Sequence, residues 1–427
     1  MSWLLLFPLV VNSPYRDSTL LLSSPDICNH TIVFEYGGDL WLVPDTGGIA
    51  SRLTSDEGFE SNPKFSPDGR FVAFSGHYDA DNFDVYVIPV DGGPPLRLTY
   101  HPASDRVIGW THDGNYVLFI SRRTHWRQPR LYRVSLEGGL PEELPLPVVY
   151  WASFSSDGGK VAFNRRPARL GWRNYRGGQV PDVWIYDFDR DTAYRVTDWE
   201  GTDICPLWYE DKIYFLSDRD GKLNIYCYDT NTGVIHKITD HQDFDVELPS
   251  LGGSKIVYQC GGTLWVLDLT TERYCRLKIK VPDDYKFVRP RYENVSTLVD
   301  WFDISPHAKR AVFVARGDIF TVPREKGPVR NITYTPGTRE RYAVWSPDGE
   351  WIAYLSDETG EYEIYIRKAD GTGDAIRITY DGECYRWPLV WSPDSKKLLY
   401  SDSKLRLFYV DIDNKKPVLV DTSAVDY

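Results

Sequence analysis

The sequence has little that would point to nucleic acid, to metal or to an oxidising compartment. Its 49 Lys and Arg against 61 Asp and Glu leave a net charge of −12. That sign argues against a nucleic-acid partner, because affinity for phosphates comes from cationic groups. The six cysteines are widely spaced and form no CxxC pair, so neither a zinc ribbon nor a disulfide framework is indicated. A reducing cytoplasm fits this cysteine usage best.

Long apolar runs are also scarce. The most apolar stretch, from Trp3 to Val11, has nine residues, whereas a membrane-spanning helix needs about 20. No Lys or Arg precedes this stretch and Pro8 interrupts it, so it does not match a secretory signal. We therefore interpret residues 1–19 as a leader, and we expect no membrane partner.

Catalytic and cofactor-binding motifs are missing from the sequence as well. It contains no Gly-x-Ser-x-Gly, no His-Glu-x-x-His and no glycine-rich nucleotide-binding motif. The carboxylates between His77 and Asp84 could recruit calcium, but the glycine and distal glutamate of a calcium loop are absent, which favours a plain hairpin. We therefore predict no catalytic residue, no metal site and no cofactor.

Aromatic residues, by contrast, make up 15% of the chain, and they are typical of strands. They recur in a short motif of a polar or small residue, an aliphatic residue and an aromatic residue. Nine copies of this motif are spaced 39 to 55 residues apart, with their aromatic residues at Trp41, Tyr86, Tyr132, Trp184, Tyr226, Trp265, Phe320, Tyr365 and Phe408. A period of this length indicates a repeat architecture.

Each repeat contains the signals of four short strands. Ser66-Pro67-Asp68-Gly69 predicts a tight turn between the first and second strands, and the motif returns intact at Ser346-Pro347-Asp348-Gly349. Asp91-Gly92-Gly93 predicts a second turn, between the third and fourth strands. Because no stretch shows convincing helical periodicity, the sequence predicts an all-β fold built from propeller blades.

The longest interval between motifs, 55 residues from Trp265 to Phe320, divides the repeats into six and three. We therefore predict tandem β-propellers: a complete six-bladed ring at residues 20–280, a linker at 281–292, and the first three blades of an incomplete second propeller at 293–427. Leu20 to Leu22 could supply the first strand of blade 1. Both terminal blades of the ring would then be complete, which predicts an open closure, with no shared blade, held only by side-chain packing.

Several of these segments resemble the amino-terminal part of tricorn proteases. The resemblance covers roughly residues 20–427 and is carried by Asp39-Leu40-Trp41-Leu42-Val43-Pro44, by Ile108-Gly109-Trp110 and most specifically by Trp172-Arg173-Asn174-Tyr175-Arg176-Gly177-Gly178. In that family a six-bladed propeller precedes a seven-bladed one, a PDZ module and a serine-protease domain in a hexameric particle. The resemblance implies a non-catalytic propeller region that gates and guides peptides in proteolysis. It also implies self-association if the missing domains are present.

Two basic stretches stand out in this acidic chain, one around Arg122 and Arg123 and one around Arg173 and Arg176. Both fall between the predicted second and third strands of adjacent blades, so we expect them on the same rim of the ring. Arginine forks bind carboxylates in two-point fashion, which suits a peptide carboxylate. The alternative is that these arginines pair with acidic side chains of the protein.

A further candidate comes from the resemblance. Tricorn-type enzymes can carry a paired arginine, thought to hold the substrate's terminal carboxylate, just before the counterpart of Val107-Ile108-Gly109-Trp110. Here the corresponding loop is short and only Arg106 is near. We include Arg106 with Arg122, Arg123, Arg173 and Arg176 as predicted substrate-guiding residues.

Two other functions remain open from the sequence. A prolyl-oligopeptidase-like enzyme also uses Ser-Pro-Asp-Gly repeats, in a propeller that filters substrates, but no hydrolase segment is found here. A stand-alone propeller that binds peptides or proteins is the other alternative, and an export signal would have supported it.

Overall fold

A computed structural model of the protein describes residues 18–78, 82–124, 127–167, 172–282, 294–335 and 337–423. Every regular element within these ranges is a β-strand, and none of the described chain forms a helix able to span a membrane. The chain divides into two compact units. Unit 1 consists of Met1–Pro167, Pro181–Trp199 and Asp203–Arg289, and unit 2 consists of Ala168–Val180, Glu200–Thr202 and Pro290–Tyr427.

Unit 1 contains, within the described residues, six four-stranded antiparallel sheets in simple sequential order, which we call blades 1 to 6. Blades 1 to 3 comprise β1 (Ser23–Cys28), β2 (Thr31–Tyr36), β3 (Asp39–Pro44), β4 (Gly48–Ile49), β5 (Ser51–Arg52), β6 (Phe59–Phe65), β7 (Phe71–His77), β8 (Asp84–Pro89), β9 (Leu96–Arg97), β10 (Asp105–Trp110), β11 (Tyr116–Ser121), β12 (Arg130–Ser135) and β13 (Glu142–Glu143). Blades 4 to 6 comprise β14 (Trp151–Phe154), β15 (Lys160–Asn164), β16 (Val183–Asp187), β17 (Thr192–Arg195), β18 (Asp203–Tyr209), β19 (Lys212–Ser217), β20 (Asn224–Asp229), β21 (Ile235–Lys237), β22 (Val246–Gly252), β23 (Lys255–Cys260), β24 (Thr263–Asp268) and β25 (Arg273–Arg276), followed by β26 (Ile279–Lys280).

Unit 2 contains three further sheets of the same kind among its described residues, which we call blades A, B and C. Their strands are β27 (Val299–Ile304), β28 (Arg310–Ala315), β29 (Asp318–Pro323), β30 (Arg330–Asn331), β31 (Glu340–Trp345), β32 (Trp351–Ser356), β33 (Glu363–Lys368), β34 (Ile376–Arg377), β35 (Val390–Trp391), β36 (Lys397–Ser401), β37 (Arg406–Asp411) and β38 (Pro417–Thr422). Tandem propellers with six blades and then three are therefore confirmed.

The aromatic excess of the sequence is explained by one cross-strand pair that recurs in every blade. The aromatic residue of each repeat motif lies on the third strand, directly opposite an aromatic residue of the second strand, as in Phe74 and Tyr86, whose ring centres are 5.7 Å apart. Aromatic pairs across strands stabilise sheets beyond the area they bury. The nine pairs are Phe34–Trp41, Phe74–Tyr86, Phe119–Tyr132, Phe163–Trp184, Phe215–Tyr226, Tyr258–Trp265, Phe313–Phe320, Tyr354–Tyr365 and Tyr400–Phe408.

The Ser-Pro-Asp-Gly turns form as predicted. Ser66 donates its hydroxyl to the Asp68 carboxylate at 2.6 Å, and the Gly69 N–H donates to the Ser66 carbonyl at 2.8 Å. Gly69 has φ +73°, which glycine adopts without strain. The same turn closes at Ser346 in blade B, where the hydroxyl lies 2.6 Å from the Asp348 carboxylate.

Neighbouring blades are joined by a repeated contact that we call the latch. A threonine that follows the fourth strand accepts the N–H of the third strand, and it also contacts a buried acid that opens the next blade. In blade 1, Thr54 accepts from the Leu40 N–H at 2.8 Å and donates to Glu60 of blade 2 at 3.0 Å. The acids at this latch position are Glu60, Asp105, Asp203 and Glu340.

The seam between blade 6 and blade 1 is an open closure, because each of these blades takes all four strands from one stretch of chain. The expectation that only side chains hold the seam is wrong. Strand β26 pairs in parallel with β4, and Gly252 approaches blade 1 so closely that an added Cβ would lie 1.8 Å from the Ile27 carbonyl oxygen. Backbone hydrogen bonds therefore reinforce the seam, and the first strand of blade 1 is β1 rather than Leu20 to Leu22.

The terminal blades of unit 2 present apolar side chains to solvent. Phe302 and Ile304 on β27 are 67% and 59% exposed, and Val390 on β35 is 58% exposed. In unit 1, by contrast, blade 6 covers the inner strand of blade 1. Ile27 on that strand, β1, is only 4% exposed. Both ends of unit 2 thus expose apolar side chains of the kind that pack against a neighbouring blade in unit 1. Residues 1–17 of the predicted leader and residues 283–292 of the predicted linker lie outside the described residues.

Candidate functional site

The innermost strands of unit 1 surround a central cavity of about 500 Å³. The cavity lies where these strands lead into the turns that start the second strands. Each blade contributes to its wall, with Asp26, Lys64, Ile108, Trp151, Leu207 and Ser250 from blades 1 to 6 in order. A volume of this size accommodates a small ligand or a few residues of a peptide.

A narrower void of about 20 Å³ shares Lys64 and Trp151 with the central cavity, and Arg106 lies in its wall. At this level β-bulges interrupt β1, β6 and β22. Asn62 has φ +52° and Leu248 has φ +48°, a left-handed conformation that costs a non-glycine residue roughly 1–2 kcal/mol. Strained backbone that aims side chains into a cavity is typical of binding sites.

Arg106 is the cation of this wall that lacks an acidic partner. Its guanidinium carbon lies 5.0 Å from the Trp151 ring centre, and Nη2 donates to the Tyr150 carbonyl. Burial lowers the pKa of Arg106, yet an arginine stays charged in proteins. No carboxylate among the described residues pairs with it, so it is poised to attract an anion.

Lys64, by contrast, is neutralised where it stands. Its Nζ lies 2.6 Å from the Ser250 hydroxyl and 3.6 Å from an Asp26 carboxylate oxygen. Ser250 in turn donates to Asp26 at 2.5 Å. This triad joins blades 2, 6 and 1 beside the cavity, and it leaves Arg106 as the cation available to a ligand.

Arg123 lies inside the latch of blade 3. Its Nη2 is 2.6 Å from Asp105, a fully buried carboxylate at the start of β10. Blade 5 repeats the arrangement, because Arg219 bonds both carboxylate oxygens of Asp203 at 2.9 Å. Burial raises the pKa of Asp203 to about 6 even beside its arginine. The recurrence in two blades favours a structural role for Arg123.

Arg122 is exposed beside the same strand, with its guanidinium carbon 5.8 Å from the Tyr150 ring centre. Its role in guiding a substrate stays a prediction.

Arg173 and Arg176 belong to unit 2, in a segment between β15 and β16 of the chain. Arg173 pairs with Glu361 at 2.5 Å, and its carbonyl accepts from the Ser403 hydroxyl at 2.5 Å. The backbone N–H of Arg176 donates to the Ser403 carbonyl at 3.2 Å. The five predicted arginines are therefore divided between the two units. Unit 1 contains Arg106, Arg122 and Arg123, and unit 2 contains Arg173 and Arg176.

Sequence reasoning missed Lys64, Asp26 and Trp151. A usable signal exists at Trp151 and the residue before it. Asn164 pairs with Val183 in blade 4 as Ile120 pairs with Leu131 in blade 3, so Trp151 takes the position of Arg106. Tyr150 thus stands where other blades carry the latch acid. Sites where a repeat departs from its own pattern are where function is expected. Among the described residues, no three His, Cys, Asp or Glu side chains form a group able to hold a metal.

Comparison with known proteins agrees with this architecture. Residues 19–273 match the model of the tricorn protease N-terminal beta propeller domain, and residues 299–426 match that of the tricorn protease second beta propeller domain. The chain belongs to the tricorn protease family. It is a propeller region of that family. Its two units match the family's first and second propeller domains, in that order along the chain.

Similar members of the family are considerably longer than this chain. The tricorn protease homolog of Saccharolobus solfataricus is 28% identical over 407 residues, which cover 94% of this chain and 37% of the relative. Tricorn protease homolog 1 of Streptomyces coelicolor is 30% identical over 417 residues, covering 92% of this chain and 38% of the relative. A crystal structure of the tricorn protease shares the fold, with a TM-score of 0.56 and 21% identity over 95% of this chain and 40% of that one. The chain thus spans about two-fifths of the length of these relatives.

Proposed function

We propose that this chain is the non-catalytic propeller region of a tricorn-like serine protease, and that it gates and guides peptides in proteolysis. In this proposal the central cavity of unit 1 receives part of a peptide, and Arg106 attracts a peptide carboxylate. The observation that supports it best is the charge of Arg106, which has no acidic partner among the described residues, in the wall of the narrow void that shares Lys64 and Trp151 with the central cavity.

The contacts of Arg106 suit this role. Trp151 covers one face of the guanidinium, so the N–H groups that do not bond Tyr150 remain at its edge. Arginine presents these donors in a fixed fork that matches the two oxygens of a carboxylate. In a half-buried site such a contact is weakened less by salt than one between exposed charges.

Several wider features belong to the same proposal. Peptides are the ligands, and self-association accompanies the chain when the further domains of the family are present. The catalytic residues lie in those further domains rather than here. All six cysteines are free thiols, which supports a reducing, cytoplasmic location.

The test uses the tripeptide Ala-Ala-Phe with an amino-terminal fluorophore, once as the free acid and once as the C-terminal amide. Fluorescence anisotropy on the whole chain should show tighter binding of the free acid. Arg106→Gln should abolish that preference, whereas Arg190→Gln, which removes the same charge from a side chain 80% exposed on blade 4, should leave it intact. Equal binding of acid and amide by the native chain would refute the role of Arg106.

A further inference from the structure

Unit 2 carries an arginine at the blade position that Arg106 occupies in unit 1. Arg341 follows Glu340, the buried acid that opens β31, just as Arg106 follows Asp105, the buried acid that opens β10. In both blades the acid pairs with the serine that ends the second strand, and the arginine takes the next position in the register. The two arginines are therefore equivalent positions of the same repeat.

Aromatic rings surround Arg341, as Trp151 covers Arg106. Its guanidinium carbon lies 4.9 Å from the Tyr342 ring centre, 5.3 Å from that of Tyr385 and 6.0 Å from that of Tyr362. The hydroxyls of Tyr342 and Tyr385 are hydrogen-bonded to each other, which fixes two of the three rings. Rings hold a guanidinium by its faces, and its N–H donors point outward from its edge.

No carboxylate among the described residues forms an ion pair with Arg341. The neighbouring acids are engaged elsewhere, because Glu340 accepts from the Thr335 hydroxyl at 2.5 Å and Glu361 pairs with Arg173 at 2.5 Å. The side chain is half-buried, and none of its nitrogens is among the buried polar atoms that lack a partner. Each nitrogen therefore either has a partner, as in the hydrogen bond to Tyr362, or reaches solvent. A guanidinium carries five N–H donors, so donors beyond the Tyr362 bond remain for a ligand.

The arginines that pair with latch acids occupy a different position of the repeat. Arg123 and Arg219 lie two residues after the end of the second strand, where blade B has Glu358. Arg341 instead extends from the inner strand toward tyrosines, one of which, Tyr385, lies beyond blade B in the chain. The acid of its own blade, Glu340, has no cation partner within the described part of the chain, and burial raises its pKa to about 7. Arg341, like Arg106, therefore takes no part in the latch.

We propose that Arg341 is a second carboxylate acceptor of the chain, which binds the free C-terminus or an acidic side chain of a peptide within unit 2. The inference rests on the proposed peptide-guiding function and extends it to a second site. The guanidinium edge supplies the two-point contact, and the tyrosine rings exclude water from its faces.

Equilibrium dialysis of the whole chain against three fluorescent peptides tests this site. The peptides are Ala-Ala-Phe as the free acid, the same peptide as its amide, and an amide with Glu in place of the central Ala. The native chain should bind two equivalents of the free acid more tightly than the amide. Binding of the Glu-containing amide would assign side-chain carboxylates as ligands, and its absence would assign the free C-terminus.

Arg341→Gln should lose one of the two equivalents, and Arg341→Lys should bind that equivalent about tenfold more weakly, because lysine keeps the charge but not the fork. Arg324→Gln, which removes the same charge from an exposed position of unit 2, should keep both equivalents. An unchanged thermal unfolding transition in Arg341→Lys shows that the loss is local.

The outcomes separate the two proposals. Two equivalents retained in both Arg341 variants would overturn the second site and leave the Arg106 site standing. Loss in Arg341→Gln together with no loss in Arg106→Gln would support the second site and refute the first. A native chain that binds free acid and amide equally would refute both.

Discussion

The latch acid Glu60 provides the sharpest test of the energetics of the fold. Its side chain is 2% exposed, and it accepts hydrogen bonds from the Thr54 hydroxyl at 3.0 Å and from the Tyr78 hydroxyl at 2.8 Å. Among the described residues no cation pairs with it, unlike Asp105 and Asp203. Burial raises the pKa of Glu60 from 4.5 to about 7. Glu60→Gln keeps the shape and the hydrogen-bonding capacity of this group and removes its charge.

The sign of the effect follows from linkage. Because the pKa is higher in the folded state, the folded chain binds the proton more tightly, and stability is lost as the pH rises from 4.5 through about 7. A shift of this size corresponds to about 3 kcal/mol, since each pKa unit is worth about 1.4 kcal/mol. Glu60→Gln should therefore stabilise unit 1 at pH 8 relative to its effect at pH 5, by up to about 3 kcal/mol.

Urea unfolding at pH 5 and pH 8 measures this difference. Glu57→Gln, at an exposed position of the same loop, is the matched control and should show no comparable pH dependence. Glu340→Gln should shift the transition of unit 2 in the same direction, because burial also raises the pKa of Glu340 to about 7. A Glu60→Gln effect that is equal at both pH values would refute the reasoning.

Three further predictions concern the latch, the ends of unit 2 and catalysis. Arg123→Gln and Arg219→Gln should each lower the free energy of unfolding of unit 1 by about 3 kcal/mol in urea, because each leaves a buried carboxylate unpaired. Destabilisation by only one of the two substitutions would contradict the equivalence of the two latches. Limited proteolysis should digest unit 2 first, because the exposed Phe302 and Ile304 at one of its ends lower its stability, and should leave a fragment that ends between residues 281 and 292. Equal resistance of both units to the protease would contradict this prediction. The purified chain should hydrolyse no peptide substrate, and turnover that persists through purification would show that the catalytic assignment is wrong.

Most of the fold was predictable because its determinants are local. The motif aromatic of every repeat meets a partner on the adjacent second strand, and the Ser-Pro-Asp-Gly turn sets the register between the first two strands. The seam was not predictable in the same way. The pairing of β4 with β26 joins residues more than two hundred positions apart through backbone groups alone, and backbone pairing leaves no mark in side-chain periodicity.

The site was predicted only in part. Arg106 was found through the family resemblance, and the structure places it in the wall of the narrow void. Lys64 and Asp26 were missed because bulges in β1 and β6 shift the alternation of side chains between the two faces. Arg173 was assigned to a rim of the first ring, whereas its partner Glu361 lies nearly two hundred residues later in the chain.

The central claim, that the cavity of unit 1 receives the carboxyl end of a peptide, is tested most directly by photo-crosslinking. The probe is Ala-Ala-Phe as the free acid with a benzoyl group on the phenylalanine ring, and mass spectrometry identifies the modified residues. The account predicts crosslinks to Ile108, Trp151 or Leu248, which line the void beside Arg106, and their loss in Arg106→Gln. Crosslinks confined to residues outside the cavity wall, unchanged in that variant, would contradict it.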